Sequence, residues 1–162
     1  MPDLTIRVEI RDLTAADLEH LRWSGGRSHL LAIGQQLERA AAGLAAYLVA
    51  CLPAGWPAGT LAIDYAALAD AGLIHQVDVH ALVRSCGIGT LLMAAAEQRI
   101  SDHGREYAEL SVEHGNVRAR ALYERLGYAA YGDEPTEWDE DMPDGSVQRH
   151  RTMCAMMRKR LS

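Results

Sequence analysis

Hydrophobic and polar positions alternate in ways that divide the first third of the chain into short elements. Residues 4–11 alternate apolar and polar side chains at every step, which predicts a half-buried first strand. The capping-box spacing at Thr14–Asp17 predicts that a short helix begins there. Apolar residues then recur every three to four positions, which predicts a second helix from about residue 28 to Gly43.

An uncharged run from Ala40 to Ile63 is, at 24 residues, long enough to span a bilayer as a helix. A turn-forming segment, Pro53-Ala54-Gly55-Trp56-Pro57-Ala58-Gly59, interrupts the run in its middle. We therefore interpret the run as two strands, 44–52 and 60–66, that form a hairpin. No association with a membrane is expected.

The rest of the chain alternates strand and helix patterns. These patterns predict strands over 73–80, 107–113, 128–132 and 150–158, and helices over 89–103 and 117–126. The order β-α-α-β-β-β-α-β-α-β-β favours a mixed α+β fold in three layers, with a central mixed sheet of about seven strands flanked by about four helices. The length of 162 residues predicts one domain spanning residues 1–162. An acidic segment, 133–144, is expected to be a solvated loop, or else part of a site for a cationic ligand.

Charge and cysteine content exclude several classes of function. With 16 Lys and Arg against 22 Asp and Glu, the net charge of −6 disfavours binding to nucleic acid. Cys51, Cys86 and Cys154 form no CxxC pair, which fits reduced thiols and predicts neither a disulfide framework nor a metal site. The first residues lack the pattern of a signal peptide, so we expect a cytoplasmic protein. The absence of Phe and the abundance of Ala hint at a bacterial source.

The junction between the predicted fourth strand and third helix carries the most informative motif. Its residues are Arg84, Ser85, Cys86, Gly87, Ile88, Gly89 and Thr90, an Arg-x-x-Gly-x-Gly pattern. Glycines allow a tight turn, and the unpaired amides of the following helix converge on one point, which favours phosphate binding. The motif is neither a P-loop nor the full dinucleotide fingerprint. Taken alone, the glycine pair is equally compatible with a turn that binds nothing.

Two segments at the right separation resemble the acyl-CoA-binding motifs of the GNAT superfamily of N-acetyltransferases. They are Val77-Asp78-Val79-His80 with the glycine motif, and Asn116 to Tyr128. The resemblance implies a GNAT-like acyl-CoA N-acyltransferase fold. It also implies an enzyme that transfers an acetyl or short acyl group from acetyl-CoA to a primary amine, which we expect to belong to a small molecule and to attack directly in a ternary complex. Two alternatives stay open: a non-catalytic acyl-CoA sensor, and a protein-lysine or N-terminal acetyltransferase.

The resemblance also implies roles for particular residues in holding acetyl-CoA. The pyrophosphate would lie on the glycine motif, and the pantetheine arm would pair with the backbone of Val77, Asp78 and Val79. Asn116 and Ala119 would contact that arm, and Tyr123 would approach the sulfur. Helical geometry independently supports a shared ligand for Asn116 and Tyr123. Residues seven apart lie on the same helix face within about 20° and ~10.5 Å apart along the axis, so one extended ligand can contact both.

The acyl transfer needs an acid and a base. Tyr123, with an ordinary pKa near 10, is suited to protonate a thiolate of similar basicity. His75 lies two positions before Val77, so we expect it on the same strand face and regard it as the candidate base. The alternative is a histidine packed in the sheet. Glu113 and His114, after the predicted fifth strand, are further candidates for the base.

The acceptor end of the site is less defined by the sequence. We expect Trp23, Tyr65, Glu113 and Trp138 to line it, because carboxylates and aromatic faces attract ammonium groups. The identity of the amine does not follow from these residues. Unpaired edges of such a sheet are compatible with a homodimer.

Overall fold

A seven-stranded mixed sheet forms the centre of the protein in a computed structural model that describes residues 5–162. The strands are β1 (Glu9–Asp12), β2 (Ala45–Leu52), β3 (Trp56–Asp64), β4 (Ala71–Val79), β5 (Tyr107–Glu113), β6 (Ala129–Asp141) and β7 (Val147–Arg160). The helices are α1 (Arg27–Ala41), α2 (Ile88–Asp102) and α3 (Val117–Arg125), with short 3₁₀ helices at Ala15–His20, Arg22–Ser24, Pro53–Gly55 and Ala81–Val83. The predicted element order is confirmed, and the first predicted helix is a 3₁₀ helix.

The sheet order is β1-β2-β3-β4-β5-β7-β6, and β4 with β5 form the parallel pair. Helices cover both faces of the sheet. On one side, called the α2 face, Ile74 and Leu110 pack with Leu92 of α2 and Tyr123 of α3. On the other side, called the α1 face, β2 and β3 pack a second core against α1 and the 3₁₀ helices. The predicted three-layer arrangement is therefore confirmed.

The prediction of a solvated loop over residues 133–144 is wrong for most of this segment, because residues 133–141 belong to β6. This strand pairs with β7 from Ala129 opposite Arg158 to Asp141 opposite Val147, which makes both strands longer than the predicted 128–132 and 150–158. Cross-strand ion pairs offset the acidic charge, since Arg149 contacts both Glu137 and Asp139 at 3.0 Å. Because residues 133–141 have few apolar side chains on either face of the strand, they show no hydrophobic alternation, and their sequence pattern resembled that of a loop.

Two other strand boundaries differ from the prediction. β1 covers Glu9–Asp12 rather than 4–11, and Leu4 lies outside the described residues. Strand pairing of β1 is limited to the stretch of β2 from Leu48 to Cys51. β3 begins at Trp56, before its predicted start, and ends at Asp64, so the hairpin with β2 is tighter than expected. Among residues 5–162, no helix is both long enough and apolar enough to cross a membrane.

A partly buried ion pair joins β1 to the first 3₁₀ helix. Both Nη atoms of Arg11 donate to the Asp17 carboxylate at 2.8 Å, and the backbone N–H of Thr14 donates to it as well. The hydrogen bonds from Arg11 lower the pKa of Asp17 to about 2. We expect Asp17→Asn to reduce the free energy of unfolding at pH 7 by about 2 kcal/mol, measured by urea denaturation.

The pH dependence of this effect has a definite sign. The pKa of Asp17 is lower in the folded than in the unfolded state, so its contribution is present above about pH 4 and is lost as the pH falls through about 2. The exposed pair of Arg120 and Glu124 provides the control, and Glu124→Gln should change stability by less than about 0.5 kcal/mol. Equal stability of the Asp17→Asn variant and the wild type at pH 7 would contradict the assignment.

Candidate active site

The sheet opens between its two parallel strands. β4 and β5 pair only over Ala71–Ile74 and Tyr107–Leu110. Beyond that point, β4 stays paired with β3 up to Val79, and β5 stays paired with β7 up to Glu113. In the part of the chain that the structure describes, the facing edges of residues 75–79 and 111–113 therefore have backbone groups without a strand partner. Such groups are available to a ligand that lies in the gap.

A β-bulge marks the start of this gap. Ala62 of β3 pairs with His75, whereas Thr60 pairs with Asp78, so β4 contains one extra residue. The extra residue is accommodated at Gln76, whose φ is 51°. The hydroxyl of Tyr47 donates to Oε1 of Gln76 at 3.0 Å and holds this side chain on the α1 face.

The bulge places His75 and Val77 on opposite faces of the sheet. His75 is paired with Ala62, which belongs to the α1-face core, while Val77 packs against the α2-face core. The expectation that both residues share one face is therefore wrong, because an extra residue breaks the two-residue period of a strand. Both faces nevertheless open into the same space at the gap.

That space is a cavity of about 1010 Å³. Its wall is formed by Ser28, His29, Leu31, Ala32 and Gln35 of α1; Asp64 of β3; Leu73–Val77 of β4; Leu110–Glu113 of β5; Asn116, Ala119 and Tyr123 of α3; and Glu134, Thr136–Asp139, Arg149 and Cys154 of β6 and β7. Because α1 and α3 pack on opposite faces of the sheet, the cavity passes through the gap from one face to the other. We call its two ends the α1 end and the α3 end.

At the α3 end, one stripe of α3 faces the cavity. Asn116, Ala119 and Tyr123 all line it, as the spacing of the sequence predicts for a helix face that meets one extended ligand. Asn116 also caps the helix, since its Oδ1 accepts a hydrogen bond from the N–H of Ala119 at 3.2 Å. The amide Nδ2 of Asn116 is left as the group that can donate to a ligand.

Tyr123 lies at the inner end of this stripe. Only 7% of its surface is exposed, and it packs edge-on against Tyr128. Burial raises the pKa of the Tyr123 hydroxyl above its ordinary value near 10. The phenol is therefore protonated at neutral pH and can serve as a proton donor in the cavity.

The glycine motif lies beside the α3 end. Gly87 is the N-cap of α2 with φ 90°, and a Cβ at this position would meet no atom within 4 Å. The first-turn amides of α2 have no partner within the helix and no side-chain cap among residues 5–162, so they are available to bind an anion. The motif rests against α3, because Arg118 donates to the hydroxyl of Ser85 and a Cβ at Gly89 would lie 3.4 Å from Leu122.

The other residues of the motif differ in their surroundings. Ile88 is buried in the α2-face core, whereas Cys86 and Thr90 are exposed. Nε of Arg84 donates to the carbonyl of Val79 at 3.2 Å, which ties the loop to the end of β4. Burial raises the pKa of Asp78 on that strand. Arg118 is absent from the residues singled out by sequence, because nothing in the spacing separates it from Arg120.

At the α1 end, three buried polar atoms have no hydrogen-bond partner among the described residues. They are Nε2 of His29, Nε2 of His75 and Oγ1 of Thr136, and all three residues line the cavity. Burial lowers the pKa of both histidines, so each is neutral at neutral pH. Unpartnered buried polar atoms that share one cavity are typical of a ligand site. The sequence offers no signal that brings His29 and Thr136 together with His75.

The expected acceptor residues are only partly brought together. Glu113 and Trp138 line the α1 end, and the Trp138 ring lies 4.6 Å from that of His150. Contrary to expectation, Trp23 and Tyr65 lie outside the cavity. Trp23 packs against the α1-face core, and Tyr65 is buried in the α2-face core, where it stacks on His103 at 3.7 Å.

The remaining histidine candidates have local partners. His114 contacts Asp133 at 2.6 Å outside the cavity wall. His80 lies just after β4, where its Nδ1 accepts a hydrogen bond from the N–H of Leu82 and caps a 3₁₀ helix. Within residues 5–162, no group of three or more His, Cys, Asp and Glu side chains is placed to hold a metal ion.

Comparison with known proteins agrees with this geometry. Residues 12–128 match the family model described as the acetyltransferase (GNAT) family. The fold is similar to that of the ribosomal-protein-S18-alanine N-acetyltransferase from Escherichia coli, with 18% identity, a TM-score of 0.72, and coverage of 96% of this chain and 95% of the other. No curated protein matches the sequence.

Two further solved structures share the fold. The PaiA N-acetyltransferase from Thermoplasma acidophilum, in complex with coenzyme A, has 17% identity and a TM-score of 0.70 over 96% of this chain and 99% of the other. The IAA acetyltransferase from Bacillus cereus has 17% identity and a TM-score of 0.69 over 96% of this chain and 100% of the other. At these identities, the likeness concerns the fold.

The family match extends over more than half of the chain and includes β4, the glycine motif and α3. The chain therefore belongs to the GNAT acetyltransferase family, and it is an acetyl-CoA-dependent transferase. The open glycine motif, the unpaired strand edges and the α3 stripe are the features that fit acetyl-CoA.

Proposed function

We propose that this enzyme acetylates a primary amine of a small molecule by direct attack on acetyl-CoA in a ternary complex. The observation that carries the proposal is the cavity that passes through the β4–β5 gap, with Tyr123 at one end and His75 at the other. Two ligands that enter from opposite faces can meet in such a cavity. The free thiols of Cys51, Cys86 and Cys154 fit a reaction in the cytoplasm.

The α3 end fits the acetyl donor. The first-turn amides at Gly87–Thr90 would bind its pyrophosphate, with Arg84 and Arg118 close by. The unpaired edge of β4 at Val77, Asp78 and Val79 would hydrogen-bond its extended arm, together with Asn116 and Ala119. When bound, acetyl-CoA supplies the acetyl group as an activated thioester.

The chain's own residues then handle protons and charge. His75, neutral at neutral pH, takes a proton from the acceptor ammonium at Nε2, with Glu113 as the alternative base. Backbone N–H groups freed near Val77 and Val79 stabilise negative charge that develops in the gap. As the C–N bond forms and the C–S bond of the thioester breaks, the hydroxyl of Tyr123 donates its proton to the departing thiolate at the α3 end.

Binding and kinetic measurements test the proposal together. Isothermal titration with acetyl-CoA should give a dissociation constant below about 100 µM, within the usual range for enzyme substrates. Thiol release should then depend on small primary amines more than on peptide N-termini or lysine peptides. Double-reciprocal plots of the initial rate, measured with one substrate varied at several fixed concentrations of the other, should intersect, as expected of a ternary complex. Parallel lines would instead indicate a covalent acyl-enzyme, for which the buried Cys154 in the cavity wall is the residue to replace.

We expect His75→Gln to lower kcat by about 10²-fold, because the base that deprotonates the amine is lost. In the wild type, the acidic limb of the pH profile of kcat should reflect a pKa below the ordinary histidine value of 6.5, because burial lowers the pKa of His75. The limb is expected to disappear in the variant, as measured by thiol release at saturating acetyl-CoA.

The exposed His20 provides the control for this experiment. His20→Gln should retain both the rate and the pH profile of the wild type, because this residue lies outside the cavity. An unchanged acidic limb in His75→Gln would assign the base to another group, and the same experiment on Glu113→Gln would then identify it.

A further inference from the structure

Two carboxylates at the α1 end lie in one row across the sheet. Glu113 of β5 and Glu134 of β6 are both paired with Cys154 of β7. Because β7 lies between β5 and β6, the Cα atoms of Glu113 and Glu134 are two strand spacings, or about 10 Å, apart. Leu110 and Val112 face α2, so Glu113 lies on the opposite face of β5. Glu113 and Glu134, which form this row, therefore face α1 and the cavity.

Neither carboxylate has an arginine or lysine partner among the described residues. Glu134 accepts a hydrogen bond from the hydroxyl of Ser111 at 2.8 Å, and Glu113 contacts only Nε2 of His150 at 3.4 Å. The other acids of the wall are already paired, since Arg39 contacts Asp64, and Arg149 contacts both Glu137 and Asp139. The row therefore carries negative charge that no arginine or lysine among the described residues offsets.

The unpartnered buried atoms beside the row point independently to a ligand that donates hydrogen bonds. Thr136 follows Glu134 by two positions on the same face of β6, and its buried Oγ1 has no partner. The neutral Nε2 atoms of His29 and His75 can accept hydrogen bonds in the same cavity. Trp138 adds an aromatic face that attracts cations.

We propose that the acceptor is a diamine, whose reacting amine lies beside His75 and whose second, protonated amine is held between Glu113 and Glu134. This proposal rests on the function proposed above. The reacting amine must be neutral when it attacks, so it cannot offset the carboxylates. A second ammonium group can, because it carries a fixed charge and three donors. An acceptor with a carboxylate in that position would be repelled by the row.

The test compares three amines of equal chain length: 1,4-diaminobutane, butylamine and 4-aminobutyrate. We expect the wild type to have a kcat/KM at least about 10-fold higher for 1,4-diaminobutane than for butylamine, as follows from one charged hydrogen-bonded contact. 4-Aminobutyrate should be the poorest of the three. Glu134→Gln should reduce the ratio for 1,4-diaminobutane over butylamine by about 10-fold.

A binding measurement supports the kinetics. Isothermal titration of 1,4-diaminobutane into protein saturated with free CoA should show an affinity that weakens about 10-fold in Glu134→Gln. The matched control is Glu106→Gln, because Glu106 is exposed, pairs with Arg160 and lies outside the cavity. It should leave the diamine preference and the diamine affinity unchanged.

The outcomes separate this proposal from the proposed function. Acetyl-CoA binding with equal kcat/KM for butylamine and 1,4-diaminobutane would overturn the diamine assignment and leave the acetyltransferase intact. The same holds if Glu134→Gln binds acetyl-CoA normally and keeps the diamine preference of the wild type. Failure to bind acetyl-CoA, with no thiol release for any amine, would overturn both.

Discussion

Replacement of Tyr123 by Phe is expected to lower kcat by about 10²–10⁴-fold, the range for loss of a positioned proton donor. The affinity for acetyl-CoA should stay near the wild-type value, because the ring still fills the buried position in the α2-face core. Thiol release at saturating substrates measures the first quantity, and isothermal titration with acetyl-CoA measures the second. Because burial raises the pKa of Tyr123, its ionisation should produce no alkaline limb below about pH 10 in the wild-type profile.

A neighbouring tyrosine provides a matched control. Tyr128 is buried in the same core, packs edge-on against Tyr123, and donates a hydrogen bond to Glu97 at 3.1 Å. Tyr128→Phe should reduce stability by about 1 kcal/mol through the lost hydrogen bond, with kcat close to that of the wild type. Comparable losses of kcat in both variants would mean that Tyr123 acts through packing and not through its hydroxyl.

The α3 end of the site was predictable because it depends on local geometry. A helix period places Asn116, Ala119 and Tyr123 on one stripe, and a strand that runs into a glycine turn exposes the amides of the next helix. Each of these relations spans fewer than ten residues of sequence. The roles of these residues toward acetyl-CoA came from the resemblance to the GNAT superfamily, and the local geometry is compatible with those roles.

The α1 end was predicted poorly because it is assembled from distant segments. His29 of α1, His75 of β4 and Thr136 of β6 share a cavity only through tertiary packing. The face of His75 depends on a bulge at Gln76, which replaces strict alternation with a positive φ at a non-glycine residue. Such a bulge leaves no clear sequence signal, so a rule of alternation gives the wrong face.

The acidic strand shows a different reason for failure. Residues 133–141 have few apolar positions, and strand prediction relies on apolar alternation. The strand pairs with β7 along its whole length, and Arg149 and Arg151 of β7 contact Glu137, with Arg149 lying 12 residues from Glu137 in sequence. This strand then provides Glu134 and Thr136 to the cavity wall, so the error in the fold concealed two residues of the proposed acceptor site.

Gly87→Glu is expected to weaken acetyl-CoA binding by about 100-fold or more. The new carboxylate would stand in the open space before the first-turn amides of α2, where like charge would repel the pyrophosphate and cost several kcal/mol. A residue other than glycine at φ 90° also strains the backbone by about 1–2 kcal/mol. Isothermal titration with acetyl-CoA measures the loss, and thermal unfolding reports the strain separately.

The opposite end of α2 provides a control that carries the same strain. Gly104 has φ 81°, and a Cβ there would also meet no atom within 4 Å. Gly104→Glu should therefore destabilise the protein to a similar degree without changing the affinity for acetyl-CoA, because the amides of the first turn are at the other end of the helix. Equal weakening by both variants would attribute the loss at Gly87 to destabilisation. Tight binding by Gly87→Glu would show that the phosphates do not lie at the N-terminus of α2, and the donor site would then have to be sought elsewhere along the cavity.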